Sequence, residues 1–251
     1  MRFTNTNDGY WIITGANSGI GHALAGRLDR LNEKTILIDK RVDNLGIFKN
    51  SAIFQADLSN LNEVSGISEK ISQYKIFCLI NNAGVGFRGS LDQMSMERID
   101  ETVDVNVRYP VRFTKLLLDH LIKDKSVIIN IASSAAYNPL PNMSIYSASK
   151  AFLVNWSESL FYELRNTNRV ITFSPSGTFT NFQKNAGVKV GDKGERLLSA
   201  SCVADEIIKA AYGRRAIVIL GFKTRALLRV SRFLPRKFNI YLWGKLFEKL
   251  K

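Results

Sequence analysis

Tyr146 and Lys150 are two polar residues four positions apart, in the stretch YSASK. On a helix, both side chains lie on one face. A phenol has an ordinary pKa of about 10 and is a poor base at neutral pH unless a nearby cation stabilises its phenolate. Lys150 is placed to be that cation, so the pair predicts acid–base chemistry, although Tyr and Lys also meet at this spacing on many surface helices.

Ser133 lies thirteen residues before Tyr146 and directly follows the apolar run SVIINIA at 126–132. Residues at the carboxyl ends of strands line the ligand crevice in open α/β sheets. A hydroxyl in that place can donate a hydrogen bond to a substrate carbonyl while negative charge develops on its oxygen. Ser134 is the alternative serine, and the separation from Tyr146 favours Ser133.

The stretch TGANSGIG at 14–21 lies between the apolar run YWIIT and the helical pattern HALAGRL. A strand, a glycine-rich turn and a helix together present a helix N-terminus to a pyrophosphate, whose charge the helix dipole favours. No Lys-Ser/Thr follows, as a nucleoside triphosphatase loop requires, so a dinucleotide is the better ligand. The candidate contacts are Gly15, Asn17, Ser18, Gly19, Ile20 and Gly21.

Asp39 ends the second apolar run, TILID, at the place where an acid can hold both hydroxyls of an adenosine ribose. A ribose 2′-phosphate would meet its negative charge, so NAD(H) is favoured. Lys40 and Arg41 follow at once and offer NADP(H) as the alternative. A strand-end Asp that caps a turn also fits this position.

These residues need a scaffold, and short β-rich runs alternate with longer helical stretches along the chain. The repeated β-α order predicts an α/β fold: a single doubly wound, Rossmann-type domain over 1–221, with a mostly parallel seven-stranded sheet. A basic amphipathic helical extension is expected over 222–251, and the polar segment 177–200 is expected to be a lid or an ordinary surface connection. The predicted strands are 10–14, 35–39, 52–57, 76–82, 126–132, 169–174 and 216–220, and the predicted helices are 20–31, 60–74, 95–122, 147–167 and 202–213.

Five stretches in order, over about residues 10–220, resemble the motifs of the classical short-chain dehydrogenases/reductases: TGANSGIG, NNAG at 81–84, VN at 105–106, NIASSAA from 130, and YSASK. The resemblance implies an NAD(P)-dependent oxidoreductase that transfers a hydride between nicotinamide and a secondary alcohol or ketone. It makes Tyr146 the general acid/base, and Lys150 the residue that tunes Tyr146 and holds the nicotinamide ribose. It makes Ser133 the group that polarises the substrate oxygen, and Asn106 a member of a water-linked proton relay.

The resemblance also assigns cofactor contacts one at a time. Asp57 and Leu58 match an Asp plus an apolar residue at the adenine ring, and Asn82 with Ala83 lines the cofactor. Thr180 matches the threonine that reaches the nicotinamide amide. One departure lies just before Thr180, because Pro175-Ser176-Gly177 stands where the family has Pro-Gly. The alternative from another class is a dinucleotide-binding regulatory protein without activity.

The net charge of +13 is concentrated at the end of the chain, where eleven Lys/Arg from Arg214 onward meet one acid, Glu248. Pro235 is expected to divide this tail into helices at about 223–234 and 238–250. An interfacial helix on anionic lipid is one interpretation, because four large apolar residues share a helix face: Ile240, Trp243, Phe247 and Leu250. The alternative is that this face covers the enzyme's own pocket or an oligomer partner. Nucleic acid is disfavoured, because the tail is more apolar than phosphate binding needs.

Substrate and assembly follow from these features as hypotheses. A tail on lipid would favour an apolar alcohol or ketone of fatty-acyl, isoprenoid or steroid-like type, with a soluble sugar or polyol as the alternative. The stripe Phe152, Trp156 and Leu160, together with the family resemblance, predicts a homodimer or homotetramer. Two cysteines and no long apolar run predict a cytoplasmic protein, peripheral at the inner face of a membrane if the tail binds lipid. No metal is expected, because His and Cys lack ligand spacing.

Overall fold

A computed structural model describes residues 8–179, 197–231 and 233–248. Its centre is a parallel sheet of seven strands in the order β3-β2-β1-β4-β5-β6-β9. A separate parallel pair, β7 with β8, lies outside that sheet. The doubly wound α/β prediction is therefore confirmed. The strands are β1 (Tyr10–Thr14), β2 (Thr35–Asp39), β3 (Ser51–Gln55), β4 (Ile76–Asn81), β5 (Val127–Ile131), β6 (Arg169–Ser174), β7 (Thr178–Phe179), β8 (Leu198–Ser199) and β9 (Ile217–Ile219).

Helices cover both faces of the sheet. One face packs against α1 and α6, and the other against α2, α4 and α5. Consecutive strand residues are divided between the two cores: Ile13 lies with the first and Ile12 with the second. Both faces of each central strand are thus buried, which explains the unbroken apolar runs. The helices are α1 (Gly19–Arg30), α2 (Leu61–Ile71), α3 (Met96–Val103), α4 (Tyr109–Lys123), α5 (Ser144–Glu163), α6 (Ala200–Tyr212), α7 (Phe222–Ser231) and α8 (Arg236–Glu248).

Three of the differences from the predicted element boundaries affect candidate residues. The helix expected at 95–122 is interrupted by a π-helical turn at Asp104–Arg108, between α3 and α4. Strand β3 ends at Gln55, so Asp57 follows the strand. Helix α5 begins at Ser144, before the predicted start at 147, which puts Tyr146 in its first turn.

The tail and the expected lid are described in part. Helices α7 and α8 lie on either side of Pro235. Strands β7 and β8 pair Thr178 with Leu198 at the two ends of the expected lid. Residues 180–196, with the candidate Thr180, lie outside the described residues. The division of the chain at 221 stays a prediction.

Candidate active site

The candidate residues follow the carboxyl ends of adjacent parallel strands. The strand order reverses between β1 and β4, because β2 and β3 lie on one side of this pair and β5 and β6 on the other. The glycine-rich turn follows β1, Asn82 follows β4 and Ser133 follows β5. A reversal of this kind opens a crevice at the strand ends, where open α/β sheets bind their ligands.

The turn after β1 requires glycine at two positions. Gly15 has a φ of 66°, and a Cβ there would lie 2.9 Å from the Cα of Ala83. A Cβ on Gly21 would overlap the carbonyl oxygen of Gly15. The N-cap residue of α1, Ser18, is exposed and its side chain makes no capping hydrogen bond. The first amides of α1 therefore remain for a phosphate, and the turn fits a dinucleotide.

Asn17 holds this turn against the end of β2. Its backbone N–H donates to Oδ2 of Asp39 at 2.9 Å, and its side-chain amide donates to Oδ1 of Asp43 at 3.1 Å. Its own Oδ1 accepts the Asn44 N–H at 3.0 Å. Asn17 is thus a positioning residue, and it fixes the Asp39 carboxylate beside the turn.

Two candidates near the expected adenine position have other contacts in the protein. Oδ1 of Asp57 accepts hydrogen bonds from the backbone and hydroxyl of Ser59 at 2.9 and 2.7 Å. The Lys40 ammonium lies 3.7 Å from Oδ2 of Asp57 and 3.8 Å from Glu101. Leu58 is buried in the core on the α2 side, which leaves little of it to contact an adenine ring. Its expected contact with an adenine ring stays a prediction.

Asn82 and Ala83 join β4 to the glycine-rich turn. Both backbone N–H groups donate to Oγ1 of Thr14 at 3.1 Å. The Asn82 amide also donates to the Thr14 carbonyl at 2.8 Å. Thr14 was not a sequence candidate, although it opens the TGANSGIG stretch. Together these bonds fix the width of the crevice between β1 and β4.

Asn106 sits in the π-helical turn between α3 and α4 and is buried. Its amide donates to the Val85 carbonyl at 2.8 Å and to the Ser149 hydroxyl at 2.9 Å, and its Oδ1 accepts the Val85 N–H at 2.9 Å. A π turn adds a residue to one helical turn and often occurs at functional sites. Here it brings Asn106 against both the loop after β4 and α5.

Lys150 is buried and its ammonium donates to the Ile131 carbonyl at 2.9 Å. A Cβ on Gly84 would lie 3.1 Å from Nζ of Lys150 and 3.2 Å from Oδ1 of Asn106, so the two side chains meet beside Gly84. Burial lowers the pKa of Lys150 to about 8. An amine near its pKa at neutral pH can both carry a positive charge and exchange a proton.

Tyr146 is buried, and its hydroxyl lies within hydrogen-bonding reach of Ser133. Burial raises the pKa of Tyr146, and the Ser133 hydrogen bond opposes that shift. The expected lowering of this pKa by Lys150 stays a prediction. Oγ of Ser133 accepts the Ala135 N–H at 3.1 Å, which leaves its own proton to donate. The contact favours Ser133 over Ser134.

A buried chain of polar side chains supports the site from below, and sequence reasoning missed it. Asn81 donates to Oδ1 of Asn130 at 2.8 Å, and Asn130 donates to the Ser157 hydroxyl at 3.0 Å. Thr172 donates to the same hydroxyl at 2.9 Å. This series of side-chain hydrogen bonds connects β4, β5, β6 and α5. The asparagines in NNAG and NIASSAA were its visible signal.

Comparison with known proteins agrees with this geometry. The family model for short chain dehydrogenases matches residues 10–190. The chain belongs to the short-chain dehydrogenase family. It is an oxidoreductase of the NAD(P)-dependent kind that acts on alcohols and ketones, as expected from its motifs.

Individual relatives cover nearly the whole chain. The 17-beta-hydroxysteroid dehydrogenase type 3 of Mus musculus is 30% identical over 260 residues, which cover 93% of this chain and 84% of the relative. A short-chain dehydrogenase from Sphingobium yanoikuyae in complex with NADPH is 26% identical, has a TM-score of 0.80, and covers 89% of this chain and 93% of its own. A short-chain dehydrogenase from Burkholderia phymatum in complex with NAD shares the fold at 24% identity, with a TM-score of 0.80. The match covers 90% of this chain and 93% of that one.

This short-chain dehydrogenase adds a helix to its catalytic side. Trp243 of α8 packs against a cluster of Leu140, Met143 and Tyr146. Asn239, one turn earlier on α8, donates to Oδ1 of Asn138 at 2.9 Å. Of the four residues expected to share the apolar face of α8, Trp243 packs into the protein, whereas Ile240 is exposed. Leu250 lies outside the described residues, and the role of this face stays a prediction. Periodicity showed which residues share a face, but it could not show that this face meets residues a hundred positions earlier.

The departure at Ser176 lies at the junction between β6 and α7. A Cβ on Gly221 would lie 3.3 Å from the Ser176 hydroxyl, so this side chain lies beside the start of α7. The Ser176 carbonyl accepts the Thr178 hydroxyl at 2.9 Å. The inserted residue therefore contacts the junction with the tail.

Proposed function

We propose that Tyr146 exchanges a proton with the oxygen of a secondary alcohol or ketone, at a site where a bound nicotinamide would supply or accept the hydride. The observation that carries the proposal is that the Tyr146 and Ser133 hydroxyls lie together at the strand ends, beside the buried Lys150. For reduction, the Tyr146 hydroxyl donates its proton to the carbonyl oxygen, and the Ser133 hydroxyl donates a second hydrogen bond to that oxygen. Both donors then face the charge that develops in the transition state.

Lys150 and Asn106 act behind Tyr146 in this proposal. Lys150 holds the nicotinamide ribose and supplies positive charge near the phenol oxygen, which stabilises a phenolate during alcohol oxidation. Asn106 fixes the loop after β4 and contacts Ser149, next to Lys150 in the chain. By the family resemblance, it also completes a water-linked path that resupplies the proton.

The cofactor that fits best is NAD(H). Asp39 presents its carboxylate beside the glycine-rich turn, where a ribose 2′-phosphate would be repelled. Lys40 could offset that repulsion, but its ammonium is directed toward Asp57 and Glu101. NADP(H) would have to rely on Arg41.

The substrate is proposed to be an apolar ketone or alcohol. The apolar neighbours of Tyr146 are Ala135, Leu140, Met143 and Trp243. Their side chains offer few hydrogen bonds to the hydroxyls of a sugar or polyol, so burying those hydroxyls here would be costly. The indole N–H of Trp243 is buried and has no hydrogen-bond partner among the described residues. Such a site suits a bulky apolar molecule with an isolated polar group. The likeness to a hydroxysteroid dehydrogenase supports the same class.

Turnover with defined substrate pairs tests this function. NADH oxidation is measured with a bulky cyclic ketone, a small aliphatic ketone and a ketose sugar. We expect kcat/KM to be highest for the bulky ketone, lower for the small ketone and lowest for the sugar. Turnover restricted to the sugar would overturn the substrate class, and no turnover with any carbonyl or alcohol despite tight cofactor binding would favour the regulatory alternative.

A homo-oligomer through α4 and α5 is also proposed. Two of the three residues expected to form this contact pack inside the protein instead. Leu160 is buried, and Trp156 packs against the core. Large apolar side chains that remain exposed on these helices are Leu116, Phe152, Phe161 and Tyr162. Light scattering on the eluting protein should give the mass of a dimer or tetramer, and a monomer mass would contradict this contact.

A further inference from the structure

The outward surface of α7, α8 and the turn between them carries large apolar side chains. Phe222 is 82% exposed, Phe233 89% and Tyr241 72%. Exposed apolar groups at this density mark an interaction surface rather than a water-facing one. Other exposed members of this outer surface are Leu227, Val230, Phe238 and Ile240.

The same surface is positively charged. Residues 222–251 contain nine Lys/Arg and a single acid, Glu248. The exposed basic side chains among the described residues are Lys223, Arg229, Arg236, Lys237 and Lys245. A partner that accepts both kinds of group must offer negative charge together with an apolar layer.

Helix α8 uses its two sides differently. Asn239 and Trp243 face the catalytic side of the protein. Lys237, Tyr241 and Lys245 recur every four residues on another side and are exposed. Packing on the enzyme's own site and binding a partner are therefore not alternatives, because each has its own helix face.

We propose that this outer surface of α7 and α8 docks the enzyme on an anionic lipid bilayer. Phe222, Phe233 and Tyr241 would enter the headgroup and acyl boundary, while the lysines and arginines meet lipid phosphates. The helices lie on the bilayer: α7 has 10 residues and α8 has 13. In the described part of the chain, no helix is long and apolar enough to cross it.

Two other occupants fit the surface less well. A second copy of the chain would place lysines and arginines against lysines and arginines, and like charges across a contact are destabilising. Nucleic acid would neutralise the charge but would leave phenylalanines without an apolar partner. A bilayer with anionic headgroups satisfies both requirements.

Vesicle flotation with the full chain tests the proposal without any enzyme assay. Binding is compared on vesicles of phosphatidylcholine alone and on vesicles that also contain phosphatidylglycerol. We expect binding to the second kind, weakened by salt. The triple variant Lys223→Gln, Lys237→Gln, Lys245→Gln should bind more weakly by about fivefold for each charge removed. Phe222→Ser with Phe233→Ser should also reduce binding.

Matched variants elsewhere on the surface provide the controls. Lys49→Gln with Lys70→Gln removes exposed charge, and Ile47→Ser removes an exposed apolar side chain, so neither change should reduce flotation. Cofactor binding by each variant reports that the fold is intact. Failure of the full chain to float with anionic vesicles would overturn the proposal. Tighter binding to a DNA duplex than to these vesicles would also overturn it. So would a wild-type dimer that becomes a monomer in the triple Lys→Gln variant.

Discussion

Lys150 places an ammonium group where burial disfavours its charge, and no carboxylate bonds to it among the described contacts. Burial lowers its pKa to about 8, from an ordinary value of about 10.5. The buried charge therefore destabilises the folded protein, although packing of the core does not need a cation there. A lysine kept under that penalty is typical of a functional site.

Lys150→Met should therefore raise thermal stability at pH 7 while nearly abolishing turnover. The lowered pKa corresponds to roughly 3 kcal/mol as an upper bound, reduced by loss of the hydrogen bond to Ile131. In the folded wild type, Lys150 loses its charge as pH rises through about 8. The stability difference between Lys150→Met and wild type should therefore shrink between about pH 8 and pH 10.5. Melting curves across pH measure this, with the exposed Lys70→Met as control. A variant less stable than wild type at pH 7 would contradict the account.

Asp39 is the residue on which cofactor choice rests. Asp39→Ala should reduce kcat/KM for NADH and raise it for NADPH, because the variant loses ribose bonds and the repulsion of a 2′-phosphate. Asp43→Ala is the control, since Asp43 is exposed and contacts the same residue, through the side-chain amide of Asn17 instead of its backbone N–H. Initial rates with both cofactors give the ratio. A wild-type preference for NADPH would show that Arg41 outweighs Asp39.

Among the elements, those with local signals could be predicted from the sequence. The turn after β1 is recognisable in the sequence because it needs glycine where a Cβ would clash with neighbouring backbone. The Tyr146–Lys150 pair is recognisable because residues four positions apart lie on one face of a helix. The π turn at Asn106 had no comparable signal. The core position of Leu58 depends on packing with α2, and the inward turn of Trp243 depends on Leu140 and Met143. Those contacts are distant in sequence, so periodicity could not predict them.

Helix α8 is expected to shape the substrate site through Trp243. Trp243→Ala should raise KM for a bulky apolar ketone by about tenfold, near the loss of one apolar contact, and should change KM for a small ketone less. Tyr241→Ala is the matched control on the exposed side of the same helix. Equal effects of the two variants on KM would show that α8 acts only on stability.

At the scale of the whole molecule, charge and chemistry are separated. The sheet and its crevice carry the reactive residues, whereas most of the excess positive charge lies in the last part of the chain. Helix α8 connects the two, because Trp243 contacts the Tyr146 cluster while Tyr241 and Lys245 are exposed. If the substrate is apolar, this arrangement would bring the catalytic side close to the membrane in which the substrate dissolves.

Single-turnover reduction of an accepted ketone by Tyr146→Phe tests the central claim most directly. The variant keeps the ring and removes the proton donor. With nicotinamide affinity unchanged, the rate should fall by about 10²–10⁴-fold. Tyr137→Phe removes a nearby hydroxyl that bonds to Ser174 and should keep near wild-type turnover. Wild-type turnover by Tyr146→Phe would contradict the account, because proton transfer would then have to come from another group.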